Sequence, residues 1–431
     1  MPSITATQES FSPGARRRIT DAPLNICLYT YRGKPTIGGQ GVYIKRLSRE
    51  LKDLGHIVEV VSGPPYPIID EDIPLHTLPS LDLYNPDDLF RLPSLSELRS
   101  PINILEWLGV SSGGFPEPLT NSIRYFNFMR ENRHRYDIVH DNQCLAYGIL
   151  GIKALGIPTV ATIHHPITVD RDVEIAAEKV FWRKWKVRRW YSFLNMQGRV
   201  SRRLSHIITV SEASKTDISS AFSIPPERFR VVANGINTDI FHTVAGVKRL
   251  DNQIMVTNSA DTPLKGLRFL IEAMAMIRKK RDVHLMVIGT SKKNGVIDKL
   301  VKSLNAHDYI TFTGRIEDSE FAHYYARTTM AVVPSIYEGF GLPAGEAMAC
   351  KVPVISTTGG ALPEVVGDAG VLVPPGDAKA LEAAIIDLLD NPGKRVRLAE
   401  AGYDRARKNF TWLNTAKKVV EVYREAIIAH R

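Results

Sequence analysis

The chain has 431 residues, of which 44% are hydrophobic and 23% are charged, as in a globular protein with substantial buried cores. Its formal net charge is +9, and nine basic residues with no acidic one lie between Lys179 and Arg203. Because this segment alone accounts for the excess, the composition disfavours a uniformly basic nucleic-acid-binding protein, and we expect no nucleic-acid partner.

The sequence shows no membrane-spanning or secretory segment. There is no run of about 18 apolar residues, the length that a transmembrane helix needs. Residues 1–23 lack the apolar stretch of a secretory signal and are predicted to form a disordered tail, with a transit peptide as the alternative. The three cysteines, Cys27, Cys144 and Cys350, provide neither a disulfide framework nor a CxxC metal pair, which is typical of a cytoplasmic protein.

The first half of the chain alternates short β-branched runs with helical patterns. A strand is predicted at 24–30, ahead of a glycine loop at 38–41 and a helix whose apolar residues follow a helical period. Further strands are predicted at 56–61, 137–142, 159–164, 206–211 and 230–233. Strands that alternate with helices indicate βαβ units, a parallel sheet and helices on both of its faces.

Residues 62–118 interrupt this alternation. The segment contains many prolines and only scattered apolar residues. We therefore predict a long structured loop that shapes the substrate site, and not a further strand.

The alternation starts again near residue 252. Strands are predicted at 253–257, 283–288, 310–312, 330–333 and 352–356, and the turn residues at 234–241 suit a hinge. We predict an α/β protein of two Rossmann-like, doubly wound domains that face a central cleft. The first domain is expected at 24–240 and the second at 241–413, with a final helix at 414–431 that could pack across either domain.

A glycine loop follows the first predicted strand. In open parallel sheets, ligands bind at the carboxyl ends of strands, close to helix N-termini. Gly38, Gly39 and Gly41 would let the backbone approach a diphosphate there, and the next helix would offer free N–H groups. These glycines are candidate binding residues, although a plain tight turn explains the loop as well.

The segment at 337–349 carries the strongest chemical signal. It follows the predicted strand at 330–333 and contains Glu338 and Glu346, eight residues apart. With a helix that starts near Leu342, Glu338 lies in the loop before the helix and Glu346 about one turn inside it. A solvated glutamate beside a glycine-rich turn is the plain alternative, but three glycines and a proline in one loop indicate close backbone approach to a ligand.

These residues resemble the retaining glycosyltransferases of family 4, whose fold is called GT-B. The family motif of two glutamates separated by seven residues is met by Glu338 and Glu346, with Gly-Phe-Gly-Leu-Pro between them. Strings similar to those of the family also occur at 38–39, 210–212, 234–237, 352–356, 359–360, 363–364, 369–373 and 375–377. The resemblance covers about 24–424.

The resemblance implies a nucleotide-diphosphate sugar bound mainly by the second domain. Glu338 would contact hydroxyl groups of the transferred sugar, and the backbone N–H groups of Phe340, Gly341 and Leu342 would hold sugar or phosphate. Glu346 would accept hydrogen bonds from the ribose. The glycine loop at 38–41 would complete the donor site.

The resemblance also implies roles for residues outside this segment. Lys265 matches the family's diphosphate-binding lysine, and Arg315 and Ile316 lie where the main chain packs against the base. His164 matches a histidine that projects at the donor sugar, with His165 as its rival. A histidine that follows a strand is otherwise more often structural.

The implied activity is hexosyl transfer with retention of anomeric configuration, to a sugar or lipid-linked acceptor held mainly by the first domain. Transfer leaves a nucleoside diphosphate with growing negative charge, so catalysis needs cations and helix N–H groups at the departing phosphate. Front-face attack, in which that phosphate takes the acceptor proton, is the mechanism usually proposed. No Asp-x-Asp metal triplet is present, so we predict neither an essential metal nor another cofactor.

One position departs from the family pattern. An arginine is expected about five residues before Lys265, but Ala260 or a neighbour stands there. The hydrogen bonds of neutral side chains do not replace an arginine fork, so Arg268 or Arg315 would have to substitute, or the leaving group would be less well stabilised. The alternative function is therefore a catalytically weak sugar-nucleotide-binding protein with a regulatory or scaffolding role. An epimerase or a phosphorylase of the same architecture is a further alternative.

The basic segment contains three of the five tryptophans. Aromatic and cationic residues together favour peripheral contact with an anionic membrane, at its inner face. However, a helical projection of the segment does not separate an apolar face from a cationic one. The alternative is a helix partly packed on the sheet, whose arginines line an anionic acceptor site or the protein surface.

Overall fold

Two parallel β-sheets form the framework of the protein. The computed structural model describes residues 22–34, 39–85, 88, 91–257 and 262–430. Within these residues the strands are β1 (Asn25–Thr30), β2 (Ile57–Ser62), β3 (Leu75–Thr77), β4 (Ile138–Asn142), β5 (Thr159–Ile163), β6 (His206–Thr209), β7 (Phe229–Val231), β8 (Gln253–Thr257), β9 (His284–Ile288), β10 (Ile310–Phe312), β11 (Met330–Val333), β12 (Val354–Thr357) and β13 (Val371–Val373).

Both sheets have the strand order of a doubly wound fold. The first runs β3-β2-β1-β4-β5-β6-β7 and the second β10-β9-β8-β11-β12-β13. In the first sheet Leu28 pairs with Val60 on one side and His140 on the other, both in parallel register. The order reverses between β1 and β4 and again between β8 and β11, so each sheet has a switch point at its carboxyl edge, where ligands bind in such folds.

Helices cover both faces of each sheet. Those of the first half are α1 (Gly39–Asp53), α2 (Pro101–Ser111), α3 (Glu117–Asn132), α4 (Tyr147–Ala154), α5 (Ile167–Ala177), α6 (Phe181–Trp190), α7 (Phe193–Ser201) and α8 (Glu212–Phe222). Those of the second half are α9 (Leu267–Arg278), α10 (Val296–Ser303), α11 (Phe321–Arg327), α12 (Leu342–Ala349), α13 (Leu362–Val366), α14 (Ala378–Asp390), α15 (Pro392–Asn409) and α16 (Trp412–His430). None of these helices combines the length and apolarity that a bilayer span requires.

The final helix, α16, packs on the first sheet. Its residues Trp412, Val419 and Tyr423 are buried in one apolar cluster with Ile26 and Leu28 of β1. The residues that lead into α16 are held by a backbone hydrogen bond of 2.7 Å, from Ile236 N to Phe410 O. Of the two domains that the sequence left open, α16 therefore covers the first.

The segment at 62–118 is more regular than the sequence predicted. β3 adds to the edge of the first sheet, where Val61 pairs in parallel with His76, and α2 follows at Pro101–Ser111. The prediction of a loop without a strand was therefore wrong. β3 is three residues long and is not buried on either face, so it leaves no alternating pattern in the sequence.

The basic segment does not form one helix. It divides at Tyr191 and Ser192 into α6 and α7, and α6 has no buried residue whereas α7 is mostly buried. Phe181, Trp182 and Trp185 of α6 are 80%, 54% and 59% exposed. The prediction of a single helix partly packed on the sheet was therefore wrong for α6, which is an exposed helix of five cations and four large aromatic residues.

The remaining strand predictions agree with the structure to within a few residues, and β13 is an addition. Of the tail predicted at 1–23, residues 1–21 lie outside the described residues, as do Gly38 of the glycine loop and Ala260.

Candidate active site at the carboxyl edges of the two sheets

Lys265 and Glu338 meet at the switch point of the second sheet. β8 and β11 are neighbours, so the segments that follow them lie side by side. Lys265 Nζ lies 2.8 Å from Glu338 Oε1, which also accepts a hydrogen bond of 2.7 Å from the Ser335 hydroxyl. The side chains of Lys265 and Glu338 are 29% and 13% exposed, so this ion pair is partly shielded from solvent.

Close backbone packing holds these two segments together. Gly266 has φ +65°, and a Cβ at this position would lie 2.0 Å from the carbonyl oxygen of Pro334. Ile336 N donates to Leu264 O at 2.8 Å across the same contact. Glycine is therefore required beside Lys265, for its backbone conformation and for its lack of a side chain.

Helix α12 begins directly after the loop that carries Glu338. Gly341, with φ +102°, is the residue before Leu342, where the helix starts as the sequence predicted. Phe340 is buried against Phe410, which anchors the loop. Pro343 has no N–H and Ala344 N donates to Gly341 O at 3.1 Å, so the first turn offers an anion the N–H of Leu342, at the carboxyl edge of the sheet.

Glu346 lies in the body of α12 and is half-buried. Burial raises the pKa of its carboxyl from 4.5 to about 8; nearby Lys265 opposes the shift, and Glu338 and Asp318 add to it. Without a bound ligand, much of the Glu346 population is therefore protonated at neutral pH. Hydrogen-bond donors of a ligand that approaches the carboxyl would favour its ionised form.

The segment Gly314–Ile316 reaches the same edge of the second sheet. Gly314 forms an isolated antiparallel bridge with Gly289, directly after β9. Arg315 is exposed, and Ile316 packs against the apolar core beneath α12. Arg268, in contrast, stacks on Phe269 at 4.8 Å and lies 3.3 Å from Glu272, contacts that occupy its guanidinium within α9.

His164 occupies the carboxyl end of β5 in the first sheet. Its Nε2 shares a hydrogen bond of 2.8 Å with Asn142 Oδ1, and its ring packs edge-on against Tyr43 with centroids 4.7 Å apart. Its backbone N–H donates to the Gln143 side chain at 2.9 Å. Burial lowers the pKa of His164 to about 3, so the ring is neutral at pH 7.

The rival histidine has a different environment. His165 Nε2 lies 2.8 Å from Asp170 Oδ2, at the start of α5, and the side chain is 39% exposed. Its carboxylate partner draws the ring toward α5, whereas His164 is held among the ends of β4 and β5. The geometry therefore favours His164 as the histidine that faces the cleft.

The glycine loop approaches the first switch point. Gly39 begins α1, and a Cβ on Gly41 would lie 2.1 Å from the carbonyl oxygen of Lys34. Asn142, the partner of His164, donates to Gln40 O at 3.2 Å. The described part of the loop is thus tied to the residues that hold His164.

The two edges face each other across a short gap. A Cβ on Gly339 would lie 2.8 Å from the carbonyl oxygen of His164 and 2.9 Å from Cβ of His165. Because Glu338 precedes Gly339, this contact places the loop of Glu338 against the backbone of the histidine segment, where the edges of the two sheets face each other. Across residues 22–34, 39–85, 88, 91–257 and 262–430, no group of three or more His, Cys, Asp or Glu side chains is arranged to hold a metal ion.

Comparison with known proteins agrees with this architecture. Residues 37–240 match the family model "Glycosyltransferase Family 4", and residues 242–405 match the model "Glycosyl transferases group 1". The chain is 45% identical over 408 residues to a protein named MMP α-(1→4)-mannosyltransferase from Mycolicibacterium hassiacum, which covers 94% of this chain and 98% of that protein. The chain belongs to family 4 of the glycosyltransferases.

Solved structures support the GT-B fold of this glycosyltransferase. Sucrose-phosphate synthase from Thermosynechococcus elongatus superposes with a TM-score of 0.71 at 24% identity, over 94% of this chain and 99% of that one. HepE from Anabaena, solved in complex with UDP-glucose, superposes with a TM-score of 0.64 at 18% identity, over 92% and 98% of the two chains. The 45% identity to a protein named as a mannosyltransferase does not favour the alternative of a catalytically weak protein that binds sugar nucleotides.

Sequence reasoning missed the residues that hold the site of this glycosyltransferase in place. Tyr43, Asn142 and Gln143 surround His164. The Ser335 hydroxyl donates to the same Glu338 oxygen that pairs with Lys265. Asn142 ends a predicted strand next to the strand of His164, so its position at the shared edge was a usable signal. Nothing in the sequence singled out Tyr43, which reaches the site from a helix.

Proposed function

We propose that this glycosyltransferase transfers mannose from a nucleotide-diphosphate donor to a sugar acceptor, with retention of anomeric configuration. The observation that carries the proposal is the Lys265–Glu338 pair at the second switch point, set opposite His164 of the first sheet. The 45% identical relative, named as an α-(1→4)-mannosyltransferase, supports mannose as the sugar. HepE, solved with UDP-glucose, supports a nucleotide-diphosphate donor.

In this proposal the second half binds the leaving group. Lys265 and the backbone N–H groups of residues 340–342 neutralise the diphosphate as its bond to the sugar breaks. Glu338 exchanges its ion pair with Lys265 for hydrogen bonds to the sugar hydroxyls, and Glu346 accepts hydrogen bonds from the ribose. Arg315, exposed at the same edge of the sheet, would assist Lys265, whereas Arg268 is paired with Glu272 on the surface of α9.

The transfer step needs no protein nucleophile. The acceptor oxygen bonds to the anomeric carbon as the bond to the diphosphate breaks on the same face, and a phosphate oxygen takes the acceptor proton. Neutral His164 contributes a polar ring beside the sugar without adding charge to the developing oxocarbenium ion. We expect no metal to take part, so transfer should proceed unchanged in excess EDTA.

Donor turnover tests the proposal. Wild type and Glu338→Ala are assayed with UDP-, GDP- and ADP-linked mannose and glucose, with Glu400→Ala as a control that removes a carboxylate paired with Lys351 at the surface. We expect one mannose donor to be consumed by wild type and the control, and about 100-fold more slowly by Glu338→Ala, the scale typical of a lost transition-state contact. Nucleotide binding without turnover of any donor would contradict a transferase and favour a binding protein.

We propose further that helix α6 contacts anionic groups of a membrane surface when the acceptor is bound there. Its aromatic side chains are exposed, and Arg183 and Lys186 stack on Trp182 at 5.4 and 4.9 Å. Flotation with anionic and with neutral liposomes tests this, using a variant with Lys184, Arg188 and Arg189 changed to glutamate. We expect the variant to lose flotation with anionic liposomes only; equal flotation of both proteins would rule the contact out.

A further inference from the structure

The N-terminus of helix α8, in the first half, is capped by a side chain of the second half. Glu364 accepts hydrogen bonds of 2.8 Å from the backbone N–H groups of Glu212 and Ala213, one on each carboxylate oxygen. The first N–H groups of a helix have no partner within it and carry partial positive charge, so a carboxylate there is stabilising. This cap links α13 to α8 across the cleft.

Two hydroxyl groups from the same end of α8 bind the loop that carries Glu338. Ser211 and Ser214, which are 2% and 0% exposed, both donate to the carbonyl oxygen of Gly339, at 2.7 and 2.9 Å. One turn further along α8, Asp217 accepts a hydrogen bond of 2.7 Å from the Tyr337 hydroxyl. The residues on both sides of Glu338 are thus held by one helix of the opposite half.

The same contacts reach the segment of His164. The Ser214 hydroxyl lies 3.4 Å from the carbonyl oxygen of His164, as well as 2.9 Å from that of Gly339. The start of α8 therefore lies between the backbone of the histidine segment and the backbone of the Glu338 loop. It sets the separation of the two sides of the cleft at the point where the sugar would sit.

We propose that Ser211, Ser214 and Glu364 are positioning residues, which fix Glu338 and His164 at the spacing that sugar transfer requires. This inference rests on the proposed function. The contacts that Lys265 and Glu346 would make with the nucleotide lie in the second half and do not depend on α8, whereas the reacting sugar would meet both halves. Loss of the positioning contacts should therefore slow transfer while leaving the affinity for the nucleotide unchanged.

Kinetics and binding test the proposal together. Ser214→Ala and Glu364→Ala are compared with wild type in kcat, in KM for the donor, and in Kd for the nucleoside diphosphate by calorimetry. We expect each variant to lose about 10-fold in kcat, since each loses one or two hydrogen bonds, with the nucleotide Kd unchanged within about twofold. Glu364→Gln, which keeps an acceptor oxygen, should recover part of the loss.

Two further variants separate positioning from stability. Thr216→Ala is the control on the same helix, because its hydroxyl bonds only to Glu212 O within α8, and it should keep the wild-type kcat. Gly339→Ala removes no hydrogen-bonding group but introduces a Cβ within 3 Å of His164 and His165. It should reproduce the kcat loss, again with unchanged nucleotide affinity.

Either of two kinetic results would overturn the proposal. One is a wild-type kcat in both Ser214→Ala and Glu364→Ala; the other is a nucleotide affinity that falls in parallel with kcat. Small-angle X-ray scattering gives a readout that does not depend on turnover, and the Ser214→Ala/Glu364→Ala double variant should have a larger radius of gyration than wild type. If wild type transfers no sugar, the proposed function fails, and unchanged scattering of the double variant would separately refute the positioning contacts.

Discussion

At the scale of single residues, the carboxyl of Glu346 makes stability depend on pH. Burial raises its pKa from 4.5 to about 8, so the folded protein retains a proton that the unfolded chain releases above about pH 5. Between these values the unfolded state binds fewer protons, and the free energy of unfolding falls as pH rises. Glu346→Gln lacks the titrating carboxyl. Its free energy of unfolding, relative to that of wild type, should therefore increase by roughly 2–4 kcal/mol from pH 5 to pH 8.

Urea unfolding at pH 5 and pH 8 measures this difference. Burial also raises the pKa of Glu117 to about 8 and that of Asp141 to about 7, so wild type and Glu346→Gln share the remaining pH dependence. Glu400 belongs to an exposed ion pair, so the free energy of unfolding of Glu400→Gln should change between pH 5 and pH 8 by the same amount as that of wild type. An equal change in the free energy of unfolding between pH 5 and pH 8 for wild type and Glu346→Gln would contradict the raised pKa of Glu346.

The sequence indicated some residues of the site but not their partners. Glu338, Lys265 and His164 were identified from motif spacing and resemblance, because each lies in a segment with a recognisable pattern. The contacts of Asn142 with His164 and of Ser335 with Glu338 arise from neighbouring strand ends that are distant or unremarkable in the sequence. The pKa shifts of His164 and Glu346 follow from burial, which only the packed structure defines.

At the scale of elements, Gly266 controls how the Lys265 turn meets the loop of Glu338. An alanine there would adopt φ +65° at a cost of about 1–2 kcal/mol and would also clash with Pro334 O. Gly113→Ala is a matched control, because Gly113 has φ +75° with nothing within 4 Å of a Cβ. We expect Gly266→Ala to be less stable than the control and to bind nucleoside diphosphate more weakly.

Thermal unfolding and calorimetry with the nucleoside diphosphate check both effects. Equal losses of stability in Gly266→Ala and Gly113→Ala, together with wild-type nucleotide affinity, would show that the Pro334 contact does not position Lys265.

Elements with a clear period were predicted well, and those without one were not. β8 and β11 are buried, apolar runs and were placed to the residue, whereas β3 is a short edge strand without an alternating pattern. The division of the basic segment into α6 and α7 depends on where α7 meets the core of the first sheet. Tertiary packing, and not the local sequence, therefore determines where α6 ends and α7 begins.

At the scale of the whole molecule, α16 connects the end of the chain to the interior of the first sheet. His140 of β4 is fully buried, with Tyr423 OH at 2.6 Å from its Nδ1 and Thr162 Oγ1 at 2.6 Å from its Nε2. Tyr423→Phe would leave one ring nitrogen without a partner, at a cost of about 1–3 kcal/mol. Tyr403→Phe loses only a surface contact with Arg407 and should change stability by less than about 0.5 kcal/mol.

Denaturant unfolding of the two phenylalanine variants compares these costs directly. A loss for Tyr423→Phe no larger than that for Tyr403→Phe would contradict the buried His140 contact and the docking of α16 on the first sheet.

The alternation of strands and helices was sufficient to predict two doubly wound sheets. It could not place α16, whose apolar residues would suit either sheet, nor the contacts of Ser211, Ser214 and Glu364 between the halves. Those contacts join residues more than 100 positions apart through polar groups, which carry no periodic signal.

We propose that mannose is transferred with retention in the cleft between Lys265, Glu338 and His164. Proton NMR of the reaction between a nucleotide-linked α-mannose and a mannoside acceptor tests it most directly, because it resolves the anomeric configuration of the first product formed. We expect an α-linked product from wild type and strongly reduced product from Glu338→Ala. A β-linked product, or equal rates for the two proteins, would contradict it.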